Sequence, residues 1–217
     1  MKVRTTSLAL LPLLLLLVRH THATTDTADQ DEIDFRIVGG EEAYANEFPW
    51  FASSTSGSLC GASLVSPHVL LTAAHCARAF QQGETVIVKA YRFQSSMGGA
   101  IRRTIGDTLS HPNYGGKFGS DKFEYDFMLV QLDEPITDIS PVQLNRDIIE
   151  PIDDRDVTVM GFGTTSEGGS ISRRLLKVDL KKTPLEECKK VYGGSYDDRV
   201  MLCADEEDKD SCQGDSG

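Results

Sequence analysis

Read for alternation of apolar and polar positions, the chain changes character near residue 37. Beyond that point it is a succession of short β-type runs at 63–65, 69–71, 85–90, 127–132, 156–160 and 175–180. Turn-forming pairs separate them: Ser66-Pro67, Gly98-Gly99, Pro112-Asn113, Gly115-Gly116, Gly168-Gly169 and Gly193-Gly194. Many short strands with frequent turns, and no alternation with long helices, predict an all-β sandwich or barrel. One helix is expected at 184–191, with Thr183 as its cap and Pro184 in its first turn. Residues 133–154 are richer in Pro, Asp and Ile than in alternation, and read as a connector between two halves.

The first 36 residues follow other patterns. Lys2 and Arg4 precede an apolar run at 8–18, and Thr21-His22-Ala23 supplies small residues for cleavage. This predicts a secretory signal peptide over 1–23, since a bilayer span needs about 20 apolar residues. No second long apolar run follows, so the product is expected to be secreted rather than anchored. Residues 24–36 carry Asp26, Asp29, Asp31, Glu32 and Asp34 against Arg36, and read as an unstructured pro-segment.

The whole chain of 217 residues has a formal net charge of −11, which argues against nucleic-acid or anionic-membrane partners. A secreted setting gives the five cysteines meaning. Two local pairs suggest themselves, Cys60 with Cys76 and Cys188 with Cys203, each closing a loop worth about 3 kcal/mol. Cys212 is left over, for which a missing C-terminus is the expected explanation. No Cys-x-x-Cys spacing supports a zinc site, and no cofactor or metal is expected.

Three contexts carry chemistry. His75 sits in Leu71-Thr72-Ala73-Ala74-His75-Cys76, where small residues allow close packing and Cys76 can pin the backbone. A general base needs such a fixed position. His20, His22, His68 and His111 read as core or solvated histidines. Asp126 precedes an apolar strand, a partly buried position suited to orienting an imidazole, although a strand-capping aspartate reads the same way. Gly214-Asp215-Ser216-Gly217 lets the backbone bend tightly, exposing a hydroxyl and aiming consecutive N–H groups at one point. Taken alone, that could be a glycine-rich turn with an incidental serine.

Together with Ile37-Val38-Gly39-Gly40, Phe48-Pro49-Trp50, Cys60-Gly61-Ala62-Ser63, Asp126-Phe127-Met128-Leu129 and Gly161-Phe162-Gly163, these segments resemble the chymotrypsin/trypsin family of serine proteases, in that family's order. The resemblance covers residues 37–217. It implies two antiparallel six-stranded β-barrels, residues 37–132 forming the first and 155–217 the second, incomplete one. It implies His75 as general base and acid, Asp126 as orienting carboxylate and Ser216 as nucleophile, with the N–H groups of Gly214 and Ser216 as oxyanion hole. It also implies a zymogen: cleavage between Arg36 and Ile37 frees an amine that pairs with Asp215. Asp210, six residues before Ser216, matches the floor of a trypsin-like pocket, so substrates are expected to be cut after Arg or Lys. The expected partners are such proteins or peptides, an activating protease and protein protease inhibitors. Because the family's further strands and terminal helix have no counterpart here, residues 37–217 alone are expected to be unstable and inactive. A non-catalytic homologue serving as binding module or decoy is the alternative, disfavoured by the intact triad, Asp210 and activation site.

Overall fold

Strand 128–132 shows how the barrel is specified. Met128, Val130 and Leu132 are buried while Leu129 and Gln131 are exposed, so one face of the strand seeks a core. The computed structural model describes residues 40–56, 58–95, 97–115, 124–147, 149, 151–164 and 170–206. Among them the strands are β1 (Glu41–Glu42), β2 (Phe51–Ser54), β3 (Gly61–Ser66), β4 (Val69–Thr72), β5 (Thr85–Val88) and β6 (Ile101–Ser110). They continue with β7 (Met128–Leu132), β8 (Asp156–Gly161), β9 (Leu176–Lys182) and β10 (Ala204–Asp205), and α1 spans Leu185–Tyr192. No helix among the described residues is long and apolar enough to cross a membrane.

Six strands close into an antiparallel barrel in the order β2–β3–β4–β7–β6–β5. Closure leaves no free edge. Ala52, Ala62, Leu64, Leu70, Val86, Val88, Ile105 and Val130 fill it from the strands. Phe80 adds its ring, and Ile136 and Ile139 plug in from the stretch after β7. The described part of 133–154 thus contains neither strand nor helix, yet its isoleucines belong to the barrel core.

In place of a second barrel, the described residues form an open four-stranded sheet. β8 pairs with residues 176–181 of β9, while β1 and β10 share the other side of β9 at opposite ends. Those two pairings are only two residues long, too short to carry the sheet round into closure. Leu176, Val178 and Leu180 give it a small core of its own.

A second apolar layer joins the sheet to the barrel. Ile87 points outward from β5 yet is fully buried, because it meets Phe51, Phe162 and Leu175. Phe162 packs edge-on against Phe51 and Phe93, both at 5.7 Å.

Two sequence expectations need correction. β6, the longest strand, was not among the runs singled out in the sequence. Its register shifts between Ile105 and Thr108, and Arg102, Thr104, Asp107, Thr108 and Leu109 are exposed, which erases the alternation. The helix is capped by Pro184, not Thr183, and starts one residue later. Thr183 instead donates its N–H to Cys203 O at 2.9 Å, and Pro184 is extended at ψ 143. The Cys188–Cys203 disulfide fastens the buried side of α1 to that neighbour.

Polar contacts anchor the start of the described chain. Glu42 accepts from Arg174 Nη1 at 2.8 and 3.0 Å and from the Tyr91 hydroxyl. Lys177 pairs with Glu47 at 2.5 Å and Glu41 at 3.2 Å. Burial by itself raises the Glu42 pKa. The bonds from Tyr91 and Arg174, with the charges of Arg174 and Arg92, outweigh it and hold the carboxyl below the usual glutamate range. A carboxylate lowered by folding stabilises the protein above its unfolded pKa and loses that contribution as pH falls through the folded value. Glu42→Gln is therefore expected to lower Tm relative to the native chain at about pH 7, with the gap narrowing toward about pH 3. A gap independent of pH in paired melts would contradict this.

Candidate active site

The site begins where β4 ends. Thr72, buried, donates its hydroxyl to Gly61 O of β3 at 2.7 Å, tying the two strand ends together. Ala73 is extended, and the chain then winds into a 3-10 turn over Ala74–Arg78 that carries His75. Cys76 donates its N–H to Ala73 O at 3.1 Å, and Ala79 to Cys76 O at 2.8 Å. Ala74, Cys76 and Ala79 are buried, so small side chains are what the barrel end can accept. The Cys60–Cys76 disulfide binds this turn to the residue preceding β3, with Cα atoms 6.2 Å apart.

Asp126 arrives from the strand next door. β4 and β7 are antiparallel with Leu71 opposite Leu129 and Thr72 opposite Met128. Continuing that register two residues further sets Asp126 level with Ala74, one position from His75. The approach is a tight turn: Phe127 donates its N–H to Tyr125 O at 2.7 Å, and Tyr125 has φ 57. Such a φ is uncommon for a bulky residue. The Tyr125 ring stacks on His111 at 4.7 Å, and His111 donates its N–H to Phe127 O at 2.8 Å.

Both carboxylate oxygens engage His75. Its backbone N–H donates to Asp126 Oδ1 at 2.8 Å, and its ring Nδ1 lies 2.6 Å from Oδ2. One bond fixes the backbone and the other the ring. A carboxylate accepts only, so the neutral ring carries its proton on Nδ1 and its lone pair on Nε2. Nε2 has no protein partner among the described residues. The Asp126 side chain is 17% exposed and that of His75 40%, so the acceptor is shielded while the base remains reachable. Such a pair can remove a proton from a hydroxyl brought to Nε2 and stabilise the resulting imidazolium.

Beside them, burial pushes the Tyr114 phenol pKa up, and the Asp126 charge adds to the rise. Tyr114 therefore stays a neutral phenol beside the carboxylate. Sequence reading left out Tyr114, Tyr125 and the stacking role of His111. The turn residues Pro112-Asn113 were the only local hint.

Cys60, His75 and Cys76 present donor atoms within 4.8 Å of one another, a spacing compatible with metal ligation. The two sulfurs are bonded to each other, so neither is a thiolate and the group is a disulfide beside an imidazole. Arg36, Ile37, Asp210, Cys212, Gly214, Asp215 and Ser216 lie outside the described residues, as do the leader and pro-segment.

Comparison with known proteins supplies the wider frame. The family model described as Trypsin matches residues 37–217. Trypsin alpha-4 of Lucilia cuprina is 35% identical over 192 residues, covering 86% of this chain and 72% of its own. Trypsin alpha of Drosophila melanogaster is 31% identical, with 86% and 73% covered. Among solved structures, neuropsin, a serine protease expressed in the limbic system of mouse brain, matches with a TM-score of 0.72 at 28% identity, covering 82% of this chain and 79% of its own.

Replacing Asp126 by Asn puts an amide donor where only acceptors stood. Nitrogen NMR of neutral His75 is expected to report the proton on Nδ1 in the native chain and a shift toward Nε2 in Asp126→Asn. An identical tautomer in both would show that the carboxylate does not set the ring.

Proposed function

The chain belongs to the trypsin family of serine proteases, and we propose that the whole protein acts as a secreted endopeptidase, made as a zymogen, that cuts after Arg or Lys through an acyl-enzyme. The observation that carries this reading is the two-bond grip of Asp126 on His75, which leaves Nε2 as the free base. In the proposed reaction His75 Nε2 takes the Ser216 hydroxyl proton as Oγ adds to the scissile carbonyl. The N–H groups of Gly214 and Ser216 hold the oxyanion, and His75 then returns the proton to the leaving amine. Water repeats the sequence on the acyl-enzyme, with His75 again as base.

Two features support the regulatory part. Ile37-Val38-Gly39-Gly40 follows Arg36 directly, and the next residues, β1, are fixed by pairing with β9, by Glu41 to Lys177 of that strand and by Glu42 to Arg174 just before it. A new amine at Ile37 would thus swing from an anchored base, with Asp215 as its counter-ion. Asp210 gives the proposed pocket its preference for cationic side chains, and the two fly relatives bear the name trypsin. Removal of residues 1–23 and 24–36 during secretion and activation completes the proposal.

The native protein, before and after cleavage at Arg36, is treated with a fluorophosphonate and with Arg, Lys and Phe amides. Cleavage is expected to switch on labelling of Ser216 and hydrolysis confined to Arg and Lys, both lost in Ser216→Ala. Asp210→Ser is expected to lower turnover of Arg and Lys amides by about a hundredfold or more, since an unpaired cation is left in the pocket. Labelling without a basic preference would remove Asp210 from the account. Cleaved chain that never labels at Ser216 would remove the mechanism.

A further inference from the structure

His111 is held at the end of β6 by bonds of its own. Its N–H reaches Phe127 O at 2.8 Å, carrying the β6–β7 pairing one step past Ser110 and Met128. Its carbonyl accepts from the Tyr114 N–H at 2.9 Å, and Tyr114 is packed against the barrel core. Its ring Nδ1 accepts from the Asn113 N–H at 3.2 Å, the bond that an asparagine side chain makes to the backbone two residues on. An acceptor there places the neutral ring's proton on Nε2. The half-buried ring is thus oriented by its own strand end and turn.

One face of that ring meets Tyr125, with centroids 4.7 Å apart and planes within 8° of parallel. Tyr125 has φ 57, a left-handed backbone that a bulky residue keeps only where its surroundings impose it. The next residue is Asp126, at the centre of a three-residue turn closed by the Phe127 N–H on Tyr125 O at 2.7 Å. Asp126 therefore has a paired strand on one side and, on the other, a residue in a conformation its side chain disfavours. Were Tyr125 to relax to extended backbone, the carboxylate would leave its line to His75. Both of its bonds, 2.8 Å to the backbone N–H and 2.6 Å to Nδ1, depend on direction.

We propose that His111 is a positioning residue for the reaction assigned to His75, a proposal that rests on the protease reading. Its ring is a platform for Tyr125, holds residue 125 left-handed, and so aims Asp126 at the backbone and ring nitrogens of His75. The Nδ1 bond to Asn113 orients the platform, and the stack carries the effect. His111 is not itself a catalytic group. It acts through the orientation and basicity of an imidazole two contacts away, which a purely structural residue would leave unaltered.

Two variants separate the ring's two contacts. His111→Phe keeps a flat ring for the stack and loses the acceptor, whereas His111→Asn keeps an acceptor for the Asn113 N–H and loses the stack. In the whole protein before cleavage at Arg36, proton NMR reads the His75 Nδ1–H shared with Asp126. That signal is expected to stay in place in His111→Phe and to move upfield in His111→Asn. After cleavage, kcat on an Arg amide is expected to fall about tenfold or more in His111→Asn, with KM unchanged. The acid limb of its pH profile is expected to move to lower pH, because the imidazolium loses its carboxylate. His111→Phe is expected to stay within about twofold of native kcat. In a Tyr125→Asn background, where residue 125 tolerates a left-handed backbone without a ring, adding His111→Asn is expected to change nothing further. Should His111→Asn fail to fold, the same split is expected between Tyr125→Ala, without a ring, and Tyr125→Phe, with one. A native Nδ1–H signal in His111→Asn or in Tyr125→Ala would overturn the proposal. So would an equal loss in His111→Phe, which would make the turn bond the working contact. The signal is read without substrate, so failure of the protease reading shows in turnover and failure of this proposal shows in the signal.

Discussion

The contact on which the rest of the account depends is the carboxylate of Asp126 bridging the backbone and ring of His75. It is made possible by strand register. Had β4 and β7 slipped by one residue, Met128, Val130 and Leu132 would turn to solvent and Asp126 would miss the imidazole. The apolar face that fills the barrel therefore also sets the geometry of a polar pair at its rim. Packing and chemistry are specified by the same alternation.

Around that pair, covalent and apolar constraints limit movement. The Cys60–Cys76 disulfide and the buried Ala74 and Ala79 hold the 3-10 turn against the barrel end. Stacking of Tyr125 on His111 holds the turn that delivers Asp126. Further away, Phe162 and Ile87 join the second sheet to the barrel. The His75–Asp126 pair thus rests on a firmly held barrel end, which suits a reaction in which small misplacements are costly.

The parts legible in the sequence were those where one residue pattern had one physical meaning. β7, β8 and β9 alternate cleanly and were found close to their observed bounds. His75 was legible because alanines and a cysteine surround it. Asp126 alone was ambiguous, since a capping aspartate looks the same; only its register partner distinguishes the two. β6 was hidden by a bulge and by outward polar residues, and the helix start by a threonine whose backbone was committed to Cys203. The positive φ of Tyr125 was invisible for another reason. The ring of Tyr125 stacks on His111, a residue distant in sequence that only the folded chain brings beside it.

The central claim is that this register prepares His75 to serve Ser216. The most direct test is an experimental structure of the protein after cleavage at Arg36, read for the separation of His75 Nε2 and Ser216 Oγ. The account predicts a hydrogen-bond distance of about 3 Å, with Asp126 still on the opposite ring nitrogen. A serine hydroxyl well out of reach of Nε2, with the imidazole turned away from Asp126, would contradict it.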